Sequence, residues 1–153
     1  MIHHPAYRIL VLVSRLLVGA IFMWAAIPKL MDPQAFAESI ANYHLLPTTM
    51  VPWVAVITPI LEFITALGLI LGVVPRASAL TIAGMLVVFS IAIAQAITRG
   101  IDIDCGCFGS TVQSEVSWLS LVRNAALLVG TLIVLSAQGP WWALFSKSSD
   151  SSA

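Results

Sequence analysis

Cys105 and Cys107 are the most reactive side chains of the sequence, and they stand in the stretch DIDCGCFGS at residues 102–110. The chain has no other cysteine. Two thiols separated by one residue can close a small disulfide ring when their Cα atoms come within about 7 Å, and Gly106 makes the required bend easier. Strained, exposed disulfides exchange readily with other thiols. The spacing therefore favours a redox pair.

The same two thiols are compatible with two other roles. A zinc ion normally takes four ligands, so a metal site would need His44 and nearby carboxylates to complete it. A structural disulfide between Cys105 and Cys107 would close almost no loop, so its entropic contribution to stability would be small. Inert free cysteines are usually buried, whereas this loop is polar and contains several glycines. We expect thiol–disulfide chemistry, and the metal site and the structural disulfide remain as alternatives.

The composition places these thiols in a membrane protein. Of the 153 residues, 59% are apolar and only 9% are charged, and the mean hydropathy is +1.00. Soluble domains carry about a quarter charged residues, so an ordinary soluble fold is excluded. The formal net charge is zero and no basic run exists, so the chain lacks the electrostatic surface that nucleic-acid binding requires.

Four apolar runs have the length of about 20 residues that a helix needs to cross a bilayer. Helices are expected because lipid offers no hydrogen-bond partner to unpaired backbone groups. The first run shows no small-residue cleavage site after a short apolar core, so we interpret it as a retained helix rather than a signal peptide. The prediction is an all-α integral membrane four-helix bundle over residues 1–140 and a short polar tail over 141–153, with spans at residues 9–27, 51–73, 77–98 and 118–137.

The loop between the first two spans is predicted to contain a short helix. Asp32 before Pro33 is typical of a helix start, because the carboxylate caps free amides and proline suits the first helical position. Phe36, Ile40 and Tyr43 then recur at helical spacing. We interpret this segment as an interfacial helix in the first outer loop, with its apolar side on the membrane and no chemistry of its own.

Basic residues near the ends of the spans predict the orientation of the bundle. With four spans, both termini and the turn near residue 75 share one side, and the cysteine loop lies on the other. The basic residues are Arg8, Arg15, Arg76 and Lys147 on the side of the termini, and Lys29, Arg99 and Arg123 on the opposite side. This excess favours cytoplasmic termini and an extracytoplasmic cysteine loop, where an oxidising compartment suits a thiol pair.

Charged residues also fall inside the predicted spans, where an unpaired charge is costly and usually faces the bundle interior. Glu62 lies at a depth between Arg15 and Arg123, so we expect it to pair with either of them. Two interpretations stay open: a buried ion pair that fixes helix assembly, or a polar pocket with Arg123 and Asn124 on one wall that receives a quinone head group or helps to protonate a leaving thiolate. Trp24 is expected to belong to an aromatic belt at the membrane surface.

Several segments taken together resemble a known family. They are SRLLVGAIFMWAAIPKLMDPQAF, ANYHLLP, TPILEFITALGLILG, DCGCFG and LVRNAALL. These segments resemble the DoxX-like membrane proteins, and most closely the branch that contains the methylamine-utilisation protein MauE. The positions that match the family pattern are Arg15, Gly19, Lys29, Pro59, Glu62, Gly68, Cys105, Cys107, Phe108, Gly109, Arg123 and Asn124.

The resemblance implies a four-helix protein of the bacterial cytoplasmic membrane with a role in extracytoplasmic thiol–disulfide chemistry. Relatives in the MauE branch are associated with the maturation of a disulfide-rich periplasmic dehydrogenase subunit, alongside a thioredoxin-like partner. Other DoxX-like proteins are linked to quinone reduction or to oxidative-stress complexes. We therefore expect Cys105 and Cys107 to be the catalytic redox pair, exchanging with a thioredoxin-like protein or a client. A membrane quinone is the expected electron carrier, held by Trp24, Glu62, Arg123 and Asn124.

Two other functions remain open. A non-catalytic membrane scaffold for a periplasmic redox enzyme would use the cysteine loop as a docking or metal-relay site. A small-solute carrier is suggested by the charges within the spans, although no inverted repeat or pair of broken helices is evident. In each case Arg15, Lys29 and Glu62 are expected to be intramembrane polar residues with a structural role.

Overall fold

The computed structural model describes residues 5–100 and 118–136, which form helices and short connections without any strand. The loop with Cys105 and Cys107 and the C-terminal tail lie outside the described residues. The prediction of an all-α membrane bundle is confirmed, because four of the described helices are long and apolar enough to cross a bilayer. The helices are α1 (Pro5–Met31), α2 (Pro33–Asn42), α3 (Val51–Leu71), α4 (Pro75–Thr98) and α5 (Trp118–Ser136).

The four long helices alternate in direction. Lys29 and Gly19 of α1 lie beside Glu62 and Ile70 of α3, so the two helices are antiparallel. At the far end of α1, Tyr7 Oη and Ser136 Oγ are 2.9 Å apart and join α1 to α5. One end of the bundle therefore holds the ends of α1 and α4 and the starts of α3 and α5. We call it the cysteine end, because residues 101–117 connect α4 to α5 there.

The helix boundaries differ from the predicted spans by a few residues. The largest difference is at α1, which continues through Pro28 to Met31 instead of ending near residue 27. The helix α3 ends at Leu71 because Gly72 adopts a left-handed conformation, with φ 69°, and donates its backbone N–H to Gly68 O. Pro75 then starts α4, since proline suits the first turn of a helix.

The short helix α2 confirms the predicted start at Asp32, whose Oδ1 accepts a hydrogen bond of 3.0 Å from the Ala35 amide. Its apolar stripe, however, faces the bundle rather than only the membrane surface. Phe36 is buried, and α2 packs mainly against α3. The interfacial helix is therefore part of the wall of the bundle.

Small residues let the long helices approach closely, as is usual where lipid provides no hydrophobic driving force between helices. A Cβ atom added to Gly19 would lie 2.6 Å from Ile70 Cγ1 and 3.4 Å from Ala66 O. A Cβ atom at Gly68 would lie 2.6 Å from Ser78 Oγ. Around these contacts, all four long helices contribute to one apolar core: Val18, Phe22, Ala66, Leu69, Ala79, Ile82, Leu86 and Val134.

We predict that the Gly19→Val variant separates α1 from α3 and loses about 1–3 kcal/mol of stability, the usual cost of overpacking. The matched control is Gly84→Val, because a side chain at Gly84 meets no heavy atom within 4 Å. The free energy of unfolding of both variants in mixed detergent micelles is the measurement. Equal stability of the two variants would contradict the close approach at Gly19.

Candidate functional site

A buried ion pair between α1 and α3 is the most prominent polar feature of the described residues. Lys29 Nζ donates hydrogen bonds to Glu62 Oε1 at 2.8 Å and to Glu62 Oε2 at 2.9 Å. Each residue is only 1% exposed. Both oxygens of the carboxylate are thus engaged by one ammonium, which offsets part of the cost of placing each charge in a membrane interior.

The expected pairing of Glu62 with Arg15 or Arg123 is corrected by this geometry. Side chains on a helix tilt toward its N-terminus, and α1 and α3 run in opposite directions. Lys29 in the last turn of α1 therefore reaches inward, whereas Glu62 in the middle of α3 reaches toward the cysteine end, and the two meet. Arg15 is on the same helix as Lys29 and tilts in the same direction, away from the cysteine end, so its Nη2 lies 3.5 Å from Ile70 O near the C-terminus of α3.

Arg15 therefore belongs to a different part of the bundle from Glu62. It is 6% exposed. The last carbonyl groups of a helix lack intrahelical donors and carry the negative end of the helix dipole, so a guanidinium is favourable beside Ile70 O. Arg15 is therefore not part of the polar cluster around Lys29 and Glu62 near the cysteine end.

Two aromatic rings flank the ammonium of Lys29. The Phe36 centroid of α2 is 5.0 Å from Nζ, and the Phe89 centroid of α4 is 5.5 Å away. Both distances are within the range of about 6 Å at which a ring face attracts a cation. Since Lys29 also binds Glu62, its ammonium joins four helices at one point.

A small cavity of about 30 Å³ lies on one side of the ion pair. Its polar lining consists of Lys29, Glu62, Arg123 and Asn124. Asn124 Nδ2 lies 3.5 Å from Ser90 Oγ and links α5 to α4. The volume suffices for a water molecule, and the lining supplies the polar partners that a buried water needs. The structure thus brings Glu62, Arg123 and Asn124 together around one small cavity.

A larger cavity of about 420 Å³ lies on the other side of Lys29, enclosed by α1, α2, α3 and α4. Lys29 and Phe89 line both cavities. The remaining lining is mainly apolar, with hydroxyl and amide groups at a few positions. It comprises Phe36, Ser39, Ile40, Tyr43, Leu45, Leu46, Val54, Thr58, Val88, Ile91, Ala92, Ile93 and Gln95.

Trp24 lies apart from both cavities. It is 68% exposed, and Trp53 and Trp118, also near the cysteine end, are 71% and 72% exposed. Outward-facing tryptophans near one end of a bundle are what an aromatic belt requires. The structure therefore does not bring Trp24 together with Glu62, Arg123 and Asn124.

Sequence reasoning missed the residues of the larger cavity. The spacing of Phe36, Ile40 and Tyr43 predicts an apolar stripe on α2, but it does not show that the stripe lines a cavity rather than the membrane surface. The α4 side of the cavity is harder to predict from the sequence. Phe89 and Gln95 belong to an apolar helix without a clear polar face, so no pattern of residue types marks the side that faces the cavity. In the part of the chain that the structure describes, no three His, Cys, Asp or Glu side chains come together as a potential metal site.

Comparison with known proteins identifies a family match over most of the chain. The family model of the methylamine utilisation protein MauE matches residues 7–137. The match includes all five helices except the first two residues of α1, and it spans the loop that carries the cysteines. No solved structure matches the chain significantly.

Curated relatives that match the chain bear the name methylamine utilization protein MauE. The chain is 33% identical to the Paracoccus denitrificans protein over 121 residues, which cover 78% of this chain and 65% of that protein. Identity to the Methylorubrum extorquens protein is 37%, with coverages of 76% and 67%. Identity to the Paracoccus versutus protein is 35%, with coverages of 82% and 70%. The chain spans about two thirds of the length of the relatives it matches.

We predict that Lys29→Met and Glu62→Gln each destabilise the protein by about 3–5 kcal/mol, because each leaves one buried charge without its partner. The double variant Lys29→Met/Glu62→Gln combines the same two substitutions, removes both charges and is expected to be more stable than either single variant. The measurement is a double-mutant cycle on the free energy of unfolding in mixed detergent micelles. Glu38→Gln, on the exposed face of α2, is the control. Additive losses in the double variant would contradict a coupled pair.

Proposed function

Since the chain belongs to the MauE family, we propose that it is a membrane thiol–disulfide oxidoreductase that acts in disulfide maturation during methylamine utilisation. The observation that carries the proposal is the position of Cys105 and Cys107. The two cysteines of an apolar chain stand one residue apart, in a segment that connects two membrane-length helices. A lipid-facing structural role would need neither the spacing nor the polar surroundings of this segment.

The charged residues near the cysteine end support this assignment. A thiolate is the reactive form of cysteine, and nearby cations increase the fraction of thiolate. Arg99 lies at the end of α4 and Arg123 one turn inside α5, so both lie close in the chain to the cysteine segment. Asp102 and Asp104 act in the opposite direction, and the balance of these charges sets the reactivity of the pair.

The proposed reaction is thiol–disulfide exchange with a thioredoxin-like extracytoplasmic protein or with a disulfide-containing client. One cysteine thiolate attacks a disulfide sulfur of the partner and forms a mixed disulfide, and the second thiolate displaces the partner's sulfur. The cysteine pair loses two electrons and two protons and becomes a disulfide, while the partner gains them and becomes a dithiol. The reverse sequence regenerates the dithiol.

The proposed location is the bacterial cytoplasmic membrane, with both termini in the cytoplasm and the cysteine end outside. Lys29 does not belong in the comparison of basic residues, because it lies inside the bundle with Glu62. Arg15 is buried as well, and without both residues the side of the termini keeps its excess, with Arg8, Arg76 and Lys147 against Arg99 and Arg123. Kinship with the wider DoxX-like proteins is part of the same proposal and rests on the motifs quoted above.

We predict that a membrane-impermeant maleimide labels Cys105 and Cys107 in reduced, intact spheroplasts. The reagent reaches only groups outside the cytoplasmic membrane, so labelling tests the orientation directly. The control is the Ala153→Cys variant on a Cys105→Ser/Cys107→Ser background, whose thiol we expect to react only after lysis. Labelling of Ala153→Cys in intact cells, with protection of the native pair, would reverse the orientation.

We predict that the native pair shows a reversible two-electron transition with a midpoint potential above about −300 mV, which marks an exchangeable disulfide. Thiol trapping of the purified protein in defined glutathione or dithiothreitol buffers measures the potential, and a parallel assay measures zinc and copper. Cys107→Ser is expected to remain trapped as a mixed disulfide with an oxidised thioredoxin-like protein and therefore to stop turnover, because the second thiolate that releases the partner is absent.

Two results would overturn the oxidoreductase assignment. One is normal exchange by Cys107→Ser membranes at matched protein levels. The other is a pair that never forms a disulfide or that carries a stoichiometric metal ion. Either result would favour a scaffold or metal-relay role for the loop. Trp24→Phe, which changes an exposed side chain away from the cavities, serves as the control variant and is expected to retain full exchange.

A further inference from the structure

The cavity of about 420 Å³ beside Lys29 has the size of a small-molecule site, since such sites commonly measure about 300–1,000 Å³. Its walls come from four helices. Most lining side chains are aliphatic or aromatic, and the polar groups are few and converge from different helices: Lys29, Ser39, Tyr43, Thr58 and Gln95. This pattern is typical of a site that binds a mainly apolar ligand and fixes the orientation of its polar atoms.

The ammonium of Lys29 provides a hydrogen-bond donor to this cavity. An ammonium has three N–H donors, and Glu62 accepts two of them. The part of the chain that the structure describes supplies no further acceptor to Lys29, so one donor remains for a ligand. Phe36 and Phe89 flank Nζ, and both rings line the cavity. A flat ring that enters here meets aromatic faces and a donor at its edge.

The cavity is continuous with the lipid-facing surface of α4. Val88 and Ile91 both line the cavity, yet they are 64% and 55% exposed. An apolar tail attached to a ring in the cavity would therefore leave between α2 and α4 into the surrounding lipid. The ligand enters from the lipid phase rather than from water.

The charges around the larger cavity favour a neutral ligand. Glu62 already neutralises Lys29, and no second carboxylate or cation lines the larger cavity among the described residues. An anionic phospholipid head group or a fatty acid would have to displace Glu62 or bring an uncompensated charge into an apolar site. A neutral ring with carbonyl acceptors avoids both costs.

We propose that this cavity binds the ring of an isoprenoid quinone, with Lys29 donating a hydrogen bond to a ring carbonyl and the tail leaving past Val88 and Ile91. The site differs from the one expected from the sequence, because it uses Lys29, Phe36 and Phe89 rather than Trp24 and Arg123. Binding itself depends only on the cavity. The redox step described next rests on the proposed function of the cysteine pair.

When the cysteine pair oxidises a partner dithiol, the pair itself becomes a dithiol and needs an electron acceptor, and in this proposal the quinone is that acceptor. Oxidation of the Cys105–Cys107 dithiol breaks two S–H bonds, forms one S–S bond and releases two electrons and two protons. A quinone takes up these two electrons and two protons, forms two O–H bonds and becomes a quinol. Gln95, which lines the cavity, lies four residues before Arg99, so the cavity lining reaches the last turn of α4, the helix that precedes the cysteine segment.

Photolabelling tests the binding site without reference to cysteine chemistry. The full-length protein in nanodiscs is irradiated with an azido-substituted benzoquinone that carries a short isoprenoid tail, and the labelled peptides are identified by mass spectrometry. We expect the label on the α2 and α4 segments that line the cavity. Excess decylubiquinone is expected to prevent labelling, whereas excess phosphatidylglycerol is not.

Variants on one helix provide the matched comparison. Ala92→Phe fills the cavity and is expected to reduce labelling about tenfold, which corresponds to about 1.4 kcal/mol of binding free energy. Val87→Phe adds a ring at a position of the same helix that is 45% exposed and outside the cavity lining, and it is expected to retain labelling. Phe36→Leu, which removes one flanking ring with little loss of volume, is a second test if Ala92→Phe does not fold.

Three outcomes would overturn the proposed site: label spread evenly over the lipid-facing helices, equal labelling of Ala92→Phe and Val87→Phe, or displacement by phosphatidylglycerol as effective as displacement by decylubiquinone. The redox titration of the cysteine pair in glutathione buffers contains no quinone. Failure of photolabelling with a normal redox titration would therefore reject the quinone site alone, and a failed titration with normal labelling would reject only the cysteine assignment.

Discussion

The contact between Lys29 and Glu62 is the interaction on which the polar interior depends. Inside a bilayer neither charge can exchange its partner for water, so the position of each fixes the position of the other. The pair spans α1 and α3, and the rings of Phe36 and Phe89 bring α2 and α4 against the same ammonium. The cavities of about 420 Å³ and about 30 Å³ both lie beside this contact, since Lys29 lines each of them.

Close packing elsewhere makes this contact possible. Gly68 lies near the end of α3 that is remote from the cysteine end, and Gly19 lies near the middle of α1, where an added Cβ atom would be 2.6 Å from Ile70 Cγ1 of α3. Toward the cysteine end the separation is filled by the long side chains of the ion pair and by α2. In the part of the chain that the structure describes, the two cavities beside Lys29 lie on the cysteine-end side of the contact between Gly68 and Ser78.

Sequence reasoning predicted the architecture because membrane-length apolar runs and the cap at Asp32 are local signals. It did not predict the partner of Glu62. That choice depends on the tilt of side chains on antiparallel helices and on the extension of α1 past Pro28, which the apolar pattern alone does not reveal. The larger cavity was also missed, because the apolar stripe of α2 is equally compatible with lipid and with the bundle. Only the packing of Phe36 beside Lys29 distinguishes them.

The position of the ion pair bears on whether its role is only structural. An ion pair whose only role was to fix the position of α1 relative to α3 would stabilise the bundle most if every N–H donor had an acceptor and the surrounding side chains were closely packed. Lys29 instead lies between two cavities, and one of its three donors remains unused by Glu62. The same residue thus holds α1 to α3 and presents a donor to an apolar chamber open to lipid. This combination favours a bundle that binds a lipid-borne ligand beneath the segment where the two cysteines lie.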